Sequence, residues 1–217
     1  MEHASLIIIR REHRALSAML RSMVLLLDGH RRHNTLPDFA VLRAMLFYVG
    51  EFPEKLHHPK ESQLLFPKLR GHDVASDAIL DRLDRDHLQG ESSIRALEYA
   101  LIGLEVMCEA DRDGHRRRAF EQSMNSYVDF YLGHMRCEEA HLLPLAEAVL
   151  DNEVWAALDA AFLANRDPLA GSDVSAQYRP LYLTILRSLP AMSGIRGALE
   201  ALAGAGPPEF PWPHAHE

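Results

Sequence analysis

Cysteine is scarce: the 217-residue chain has only Cys108 and Cys137. They are too few for a disulfide framework and lack the close spacing of a thiolate zinc or redox pair, so they read as buried, reduced thiols. Long apolar runs are also missing. The longest near the N-terminus, Met23 to Leu27, falls far short of the roughly 20 residues of a membrane span. No cationic, apolar, small-residue signal series precedes it, and the expectation is a cytoplasmic protein without a membrane partner. Positive charge is in deficit, with a formal net charge of −8, which argues against nucleic acid as a partner. The cluster His115-Arg116-Arg117-Arg118 is short, carries no interleaved aromatics for base stacking, and reads as solvated side chains near a helix start. Stretches alternating with period two are almost absent, which argues against a sheet.

What the chain has in excess is histidine, 13 copies. His214 and His216 fall in a Pro-rich tail, and His3, His30, His33, His72 and His115 fall at helix ends or in polar stretches; all seven read as solvated. Of the remaining six, His13, His57, His87 and His134 interrupt apolar seams. Leu6, Ile9, His13, Leu16, Leu20, Met23 and Leu27 recur in steps of three and four, the signature of one buried helix face. A second helical segment begins near Pro37 and runs towards Pro67, with Pro53 and Pro59 expected to bend it. A third carries Leu80, Leu83, His87, Gly90, Ile94, Leu97, Leu101 and Leu104. A fourth runs from about residue 116 to 150 through Phe120, Met124, Tyr127, Tyr131, His134 and Glu138, with a bend at Pro144.

The second and fourth segments align. His57-His58-Pro59-Lys60-Glu61 through Leu65-Phe66-Pro67 matches His134-Met135-Arg136-Cys137-Glu138 through Leu142-Leu143-Pro144 in histidine, glutamate, a leucine and the final proline. His13 and His87 precede these pairs at nearly equal distances. The chain therefore holds two related helical hairpins, each offering one histidine from its first helix and a His-x-x-x-Glu pair from its second. Two hairpins make an all-α, up-down four-helix bundle.

Residues at i and i+4 share a helix face with Cβ atoms roughly 5–6 Å apart, so His57 converges with Glu61 and His134 with Glu138. Four imidazoles and two carboxylates left unpaired in a helical interior would cost several kcal/mol. One seam histidine is ordinarily a hydrogen-bonded core residue, but four in a repeated arrangement with two glutamates call for a cation. Imidazole with carboxylate suits iron, manganese or zinc, and the absence of converging cysteines argues against a thiolate site. Six donors are too many for one tetrahedral zinc. They suit two adjacent metals bridged by the carboxylates, with positions left for water or a small ligand, and iron is the preferred metal.

With these residues the chain resembles the hemerythrin-like HHE cation-binding family, over about residues 5 to 148. The resemblance implies a non-haem site of two iron ions, oxo- or hydroxo-bridged when oxidised, with manganese or zinc as substitutes. Its ligands carry over onto His13, His57, Glu61, His87, His134 and Glu138. The chain departs from the oxygen-carrying hemerythrins at Glu91, where those proteins offer a second histidine one turn after the first. Glu91 is read as an acceptor orienting an imidazole or as a solvated acid, ahead of an extra ligand. His58, about 100° around the helix from His57, reads as an orienting or surface residue. His141 reads as a hydrogen-bonding neighbour of Glu138, Glu139 as a solvated acid, and Tyr127 and Tyr131 as core packing.

Residues 1–150 are thus expected to form the bundle and residues 151–217 a C-terminal helical extension. Val154, Trp155, Leu158, Ala161 and Phe162 mark one helix of it, Tyr178 to Leu189 another, and the Pro-rich stretch from Gly206 reads as irregular. The extension should pack on the bundle or on a second subunit in a homo-oligomer. The leading function is binding of a small diatomic or peroxide ligand, oxygen or nitric oxide foremost, as sensor or scavenger. A di-iron oxidoreductase reducing peroxide or nitric oxide, and an iron-responsive interaction module, are the alternatives, so whether the chain is an enzyme stays open.

Overall fold

Local hydrogen-bonding chemistry sets where the helices start. In the computed structural model, which describes residues 3–165 together with Asp167, Leu169, Leu181 and Ile185, α1 spans Ala4–Arg32. The composite α2 covers residues 39–69, opening with Phe39–Glu51 behind Asp38, whose carboxylate accepts the Ala40 and Val41 N–H groups. Helix α3 spans Val74–Met107 behind Asp73, which accepts from Ser76. Helix α4 covers residues 115–149 and opens with His115–Cys137, where Asp111 accepts the Arg116 and Arg117 N–H groups. Helix α5, Asn152–Leu163, begins at Asp151, which accepts from Glu153 and Val154. Each cap satisfies donors that the first turn leaves without intrahelical partners. No strand occurs among the described residues, and none of their helices is long and apolar enough to cross a membrane.

The bends expected at the prolines are wide turns. A proline has no N–H to close onto residue i−4, and its ring crowds that carbonyl. Ahead of Pro67 and Pro144 the chain closes by i→i+5 bonds instead, Phe66 N–H donating to the Glu61 carbonyl and Leu143 N–H to that of Glu138. These π-helical segments, Glu61–Leu65 and Glu138–Leu142, stand at corresponding places in the two hairpins. A third, Pro53–His57, has no counterpart in α4. Such π-turns are rare and cluster at functional sites.

The buried side chains form two apolar clusters. One takes Leu16–Leu27 of α1, Val41–Phe52 of α2, Ile94–Leu104 of α3 and Phe120–Met135 of α4. The other takes Leu6 and Ile9, Leu65 to Leu69, Leu80 and Leu83, and Leu142 to Ala146, with Trp155, Leu158 and Phe162 from α5. The first part of α1 and α3 thus lies level with the last part of α2 and α4, which is up-down topology. All four helices cross from one cluster to the other at the same height. His13, His57, His87 and His134 sit at that crossing, so a polar layer divides the core.

Helix α5 seals the second cluster against α1. Its Asp159 accepts both the Ser5 backbone N–H and hydroxyl, each at 2.7 Å, and Trp155 stacks on the His3 ring at 4.2 Å. Leu169 and Ile185 are buried in the first cluster. The second expected extension helix lies largely, and the Pro-rich tail with His214 and His216 wholly, outside the described residues. Cys108 and Cys137 are free, as expected, but half-buried. In the basic cluster Arg117 is engaged by Glu121 and by the Thr35 carbonyl, and Arg118 by the Asp113 carbonyl.

Candidate metal centre

Each of the six residues singled out by spacing faces the polar layer. Glu61 and Glu138 have no solvent exposure, and His13, His57, His87 and His134 are buried. Their inward atoms divide into two groups. His57 Nε2 lies 3.1 Å from Glu61 Oε1, and His13 Nε2 lies 3.3 Å from Glu138 Oε2. On the other side His134 Nε2 is 3.1 Å from Glu138 Oε1, and His87 Nε2 is 3.5 Å from Glu61 Oε2. Each carboxylate therefore turns one oxygen towards each pair of histidines.

These spacings fit metal ligation. Two nitrogen donors at right angles on a metal, each roughly 2.1 Å from it, lie about 3 Å apart; His87 and His134 hold their Nε2 atoms 3.0 Å apart. No hydrogen bond serves His57 Nε2 or any of the four carboxylate oxygens of Glu61 and Glu138, although all are buried. Orphaned buried acceptors are costly, and buried charges ordinarily find a cation or a ring of donors.

Outward nitrogens complete the pattern. His13 Nδ1 donates to Glu139 at 2.9 Å, His57 Nδ1 to Glu12 at 2.6 Å, and His134 Nδ1 faces Asp86 at 3.5 Å. His87 Nδ1 meets the Ser62 hydroxyl at 2.8 Å. With an acceptor holding the hydrogen on Nδ1, a neutral imidazole presents its Nε2 lone pair to the centre, the tautomer a metal needs. Glu12 is held in turn by the Asn165 amide, 2.9 Å from both carboxylate oxygens, and Lys60 contacts the Asn165 side-chain oxygen.

Electrostatics bind the layer together even without a metal. Burial pushes the His134 imidazole down, but the Glu138 and Asp86 carboxylates outweigh it and hold its pKa at about 10. The same contest leaves His13 above its ordinary value through Glu138 and Glu139, and His57 well above it through Glu61 and Glu12. Burial raises Glu138, yet His134 and His13 prevail and keep it well below the usual carboxylate range. His58 goes the other way: burial and then the neighbouring His87 push it well below normal.

The neighbouring residues fall in different places. Glu91 is the solvated acid of its expected alternatives: it is exposed and pairs with Arg95 one turn on. The His58 ring stacks on His87 at 4.4 Å and lies parallel to Tyr131 at 5.4 Å. His58 is buried rather than on the surface, directly after the wide turn Pro53–His57. His141 is exposed rather than beside Glu138, since in the wide turn Glu138–Leu142 the buried position falls on Leu142. Glu139 is exposed, as expected, and also accepts from His13. The Tyr127 and Tyr131 hydroxyls both donate to Glu54 Oε1, Tyr127 at 3.2 Å. Glu12, Glu54, Ser62, Asp86 and Asn165 were not anticipated. A carboxylate beside or one turn from each seam histidine was the available signal for Glu12, Glu54 and Asp86.

No curated protein and no solved structure matches the chain. The hemerythrin HHE cation-binding domain matches residues 5–146. That stretch contains both His-x-x-x-Glu pairs and every histidine of the polar layer, and the chain belongs to the hemerythrin HHE cation-binding family.

Proposed function

We propose that the polar layer holds two iron ions and binds a small diatomic or peroxide ligand there, oxygen or nitric oxide foremost. The observation that carries this reading is the split of Glu61 and Glu138, each with one oxygen towards His13 and His57 and the other towards His87 and His134. A carboxylate so placed suits two cations at once, and mixed imidazole and carboxylate donors suit iron, with manganese or zinc as substitutes. When bound, the metals supply Lewis acidity and, for iron, redox chemistry.

The chain's own residues would hold and screen the centre. His13 and His57 wall one side of a cavity of about 10 Å³, closed by Leu16, Phe52, Pro53 and Leu56 and edged by Glu12, Asn165 and Asp167. That is about the space one water-sized molecule needs. Glu12, Glu139, Ser62 and Asp86 orient the imidazoles, and the two apolar clusters keep bulk water away.

Metal analysis of protein produced with ample iron should give about two iron atoms per chain, the number suited to a doubly split donor set. The anaerobic ferrous protein should then change its optical spectrum reversibly on exposure to oxygen or nitric oxide. Catalytic consumption of peroxide or nitric oxide would move the reading to an oxidoreductase. A folded chain that takes up no transition metal would refute it.

A further inference from the structure

We propose that His58 is a fifth imidazole ligand of the centre, binding through Nε2 to the metal held by His87 and His134. The inference rests on the metal reading above. One ring nitrogen of His58 lies within 4.8 Å of ring nitrogens of both His87 and His134. Its Nδ1 is taken by Glu54, 3.1 Å away, so Nε2 is the nitrogen left for a metal.

His58 is held as the other inward imidazoles are. Glu54 stands behind it as Glu12 stands behind His57, and Glu54 is itself fixed by the hydroxyls of Tyr127 and Tyr131. The ring is packed between Tyr131 and His87 and meets His134 edge-on at 5.7 Å. A carboxylate that accepts two phenol hydrogens and an imidazole hydrogen is an elaborate support for a mere filler. It is the kind of support a ligating histidine receives, fixing tautomer and ring orientation.

The donor count explains what the support achieves. Glu91 faces solvent, so α3 gives the His87 metal no further donor. His58, arriving from α2 through the unmatched wide turn Pro53–His57, supplies it. One metal then has three imidazoles and two carboxylate oxygens, and the other two imidazoles and two carboxylate oxygens. The less saturated metal is the one held by His13 and His57.

The test uses the full chain loaded with iron, as wild type, His58→Ala and His58→Phe; the Phe variant keeps a ring against Tyr131 and His87 but has no donor. X-ray absorption at the iron edge should report about 2.5 imidazoles per iron in the wild type, five shared by two metals, and about 2 in each variant. Affinity for one of the two irons should fall at least tenfold, and free imidazole should restore it in His58→Ala. If both variants hold two irons with wild-type affinity and imidazole count, His58 is not a ligand and the two-metal reading stands. If the wild type takes up no transition metal, that reading fails and this inference with it.

Discussion

Replacing Gly90 with alanine should test how tightly the layer beneath the metal centre is built. Gly90 lies on the buried seam of α3. A Cβ there would stand 1.7 Å from the Tyr131 hydroxyl oxygen, 2.6 Å from Cζ and 3.0 Å from Cε2. Tyr131 has no solvent exposure and cannot swing into water. Alanine favours a helix interior over glycine by about 0.8–1.0 kcal/mol. Against that stand overpacking, roughly 1–3 kcal/mol, and the displaced hydroxyl's hydrogen bond to Glu54, roughly 1.5–3 kcal/mol for a charged acceptor. The balance is a net loss between about 1.5 and 5 kcal/mol. Urea unfolding of the metal-free protein, followed by circular dichroism, measures it; at roughly 2–4 °C per kcal/mol for a chain of this size, the melting temperature should fall by at least about 3 °C. Adding Tyr131→Phe should recover part of the loss, because the closest clash is with the hydroxyl oxygen. A Gly90→Ala protein about 1 kcal/mol more stable than wild type would show that helix propensity decides and that Tyr131 is free to move.

Glu61→Gln and Glu138→Gln should each abolish most of the stabilisation gained on adding metal, which for one site at a hundredfold excess over Kd is about 2.7 kcal/mol. Glu139→Gln and His141→Ala should keep most of that gain, and thermal melts with metal and with chelator rank all four. Burial, and then the nearby Glu12 charge, push the Asp167 carboxyl from its ordinary 3.8 up to about 7. Between those values the folded state binds more protons than the unfolded chain, so this group makes stability fall as pH rises from about 4 to 7, with no further change above. Asp167→Asn should flatten that part of the slope in urea titrations of the metal-free protein at pH 5 and pH 8. Glu91→Ala should leave iron content unchanged and stability within about 0.5 kcal/mol, as for other exposed positions; loss of iron would return Glu91 to the centre.

Much of this architecture is legible in the sequence because it is written as identity at fixed spacing. A histidine replacing leucine in a three-four seam announces both a helix and a polar atom on its buried face, which is why His13 and His87 can be picked out singly. The His-x-x-x-Glu pairs carry more, since i and i+4 fix their common direction whatever the rest of the chain does. Long-range partners carry no such mark. Asn165 reaches Glu12 across 153 positions, and only the packing of α5 on α1 brings them together.

The burial of His58, against its surface alternative, has a different cause. The proline signals beside the centre were read as bends, yet a bend leaves the angular step between neighbours intact, whereas a π-turn changes it. On a uniform helix His57 and His58 diverge by about 100°, so a layer facing His57 meets His58 only at the edge of the buried stripe. When the turn before them closes by i→i+5 bonds, as His58 N–H does onto the Pro53 carbonyl, both can be buried. The same widening at Glu138 moves the inward position from His141 to Leu142, so one backbone device accounts for a gained histidine in α2 and a lost one in α4. A sequence rule that allows one extra residue per turn ahead of each proline would have put His58 inside and His141 outside. The two hairpins, alike in ligand spacing, therefore differ where Pro53 opens an additional wide turn, and that difference puts the third imidazole on one side of the centre only.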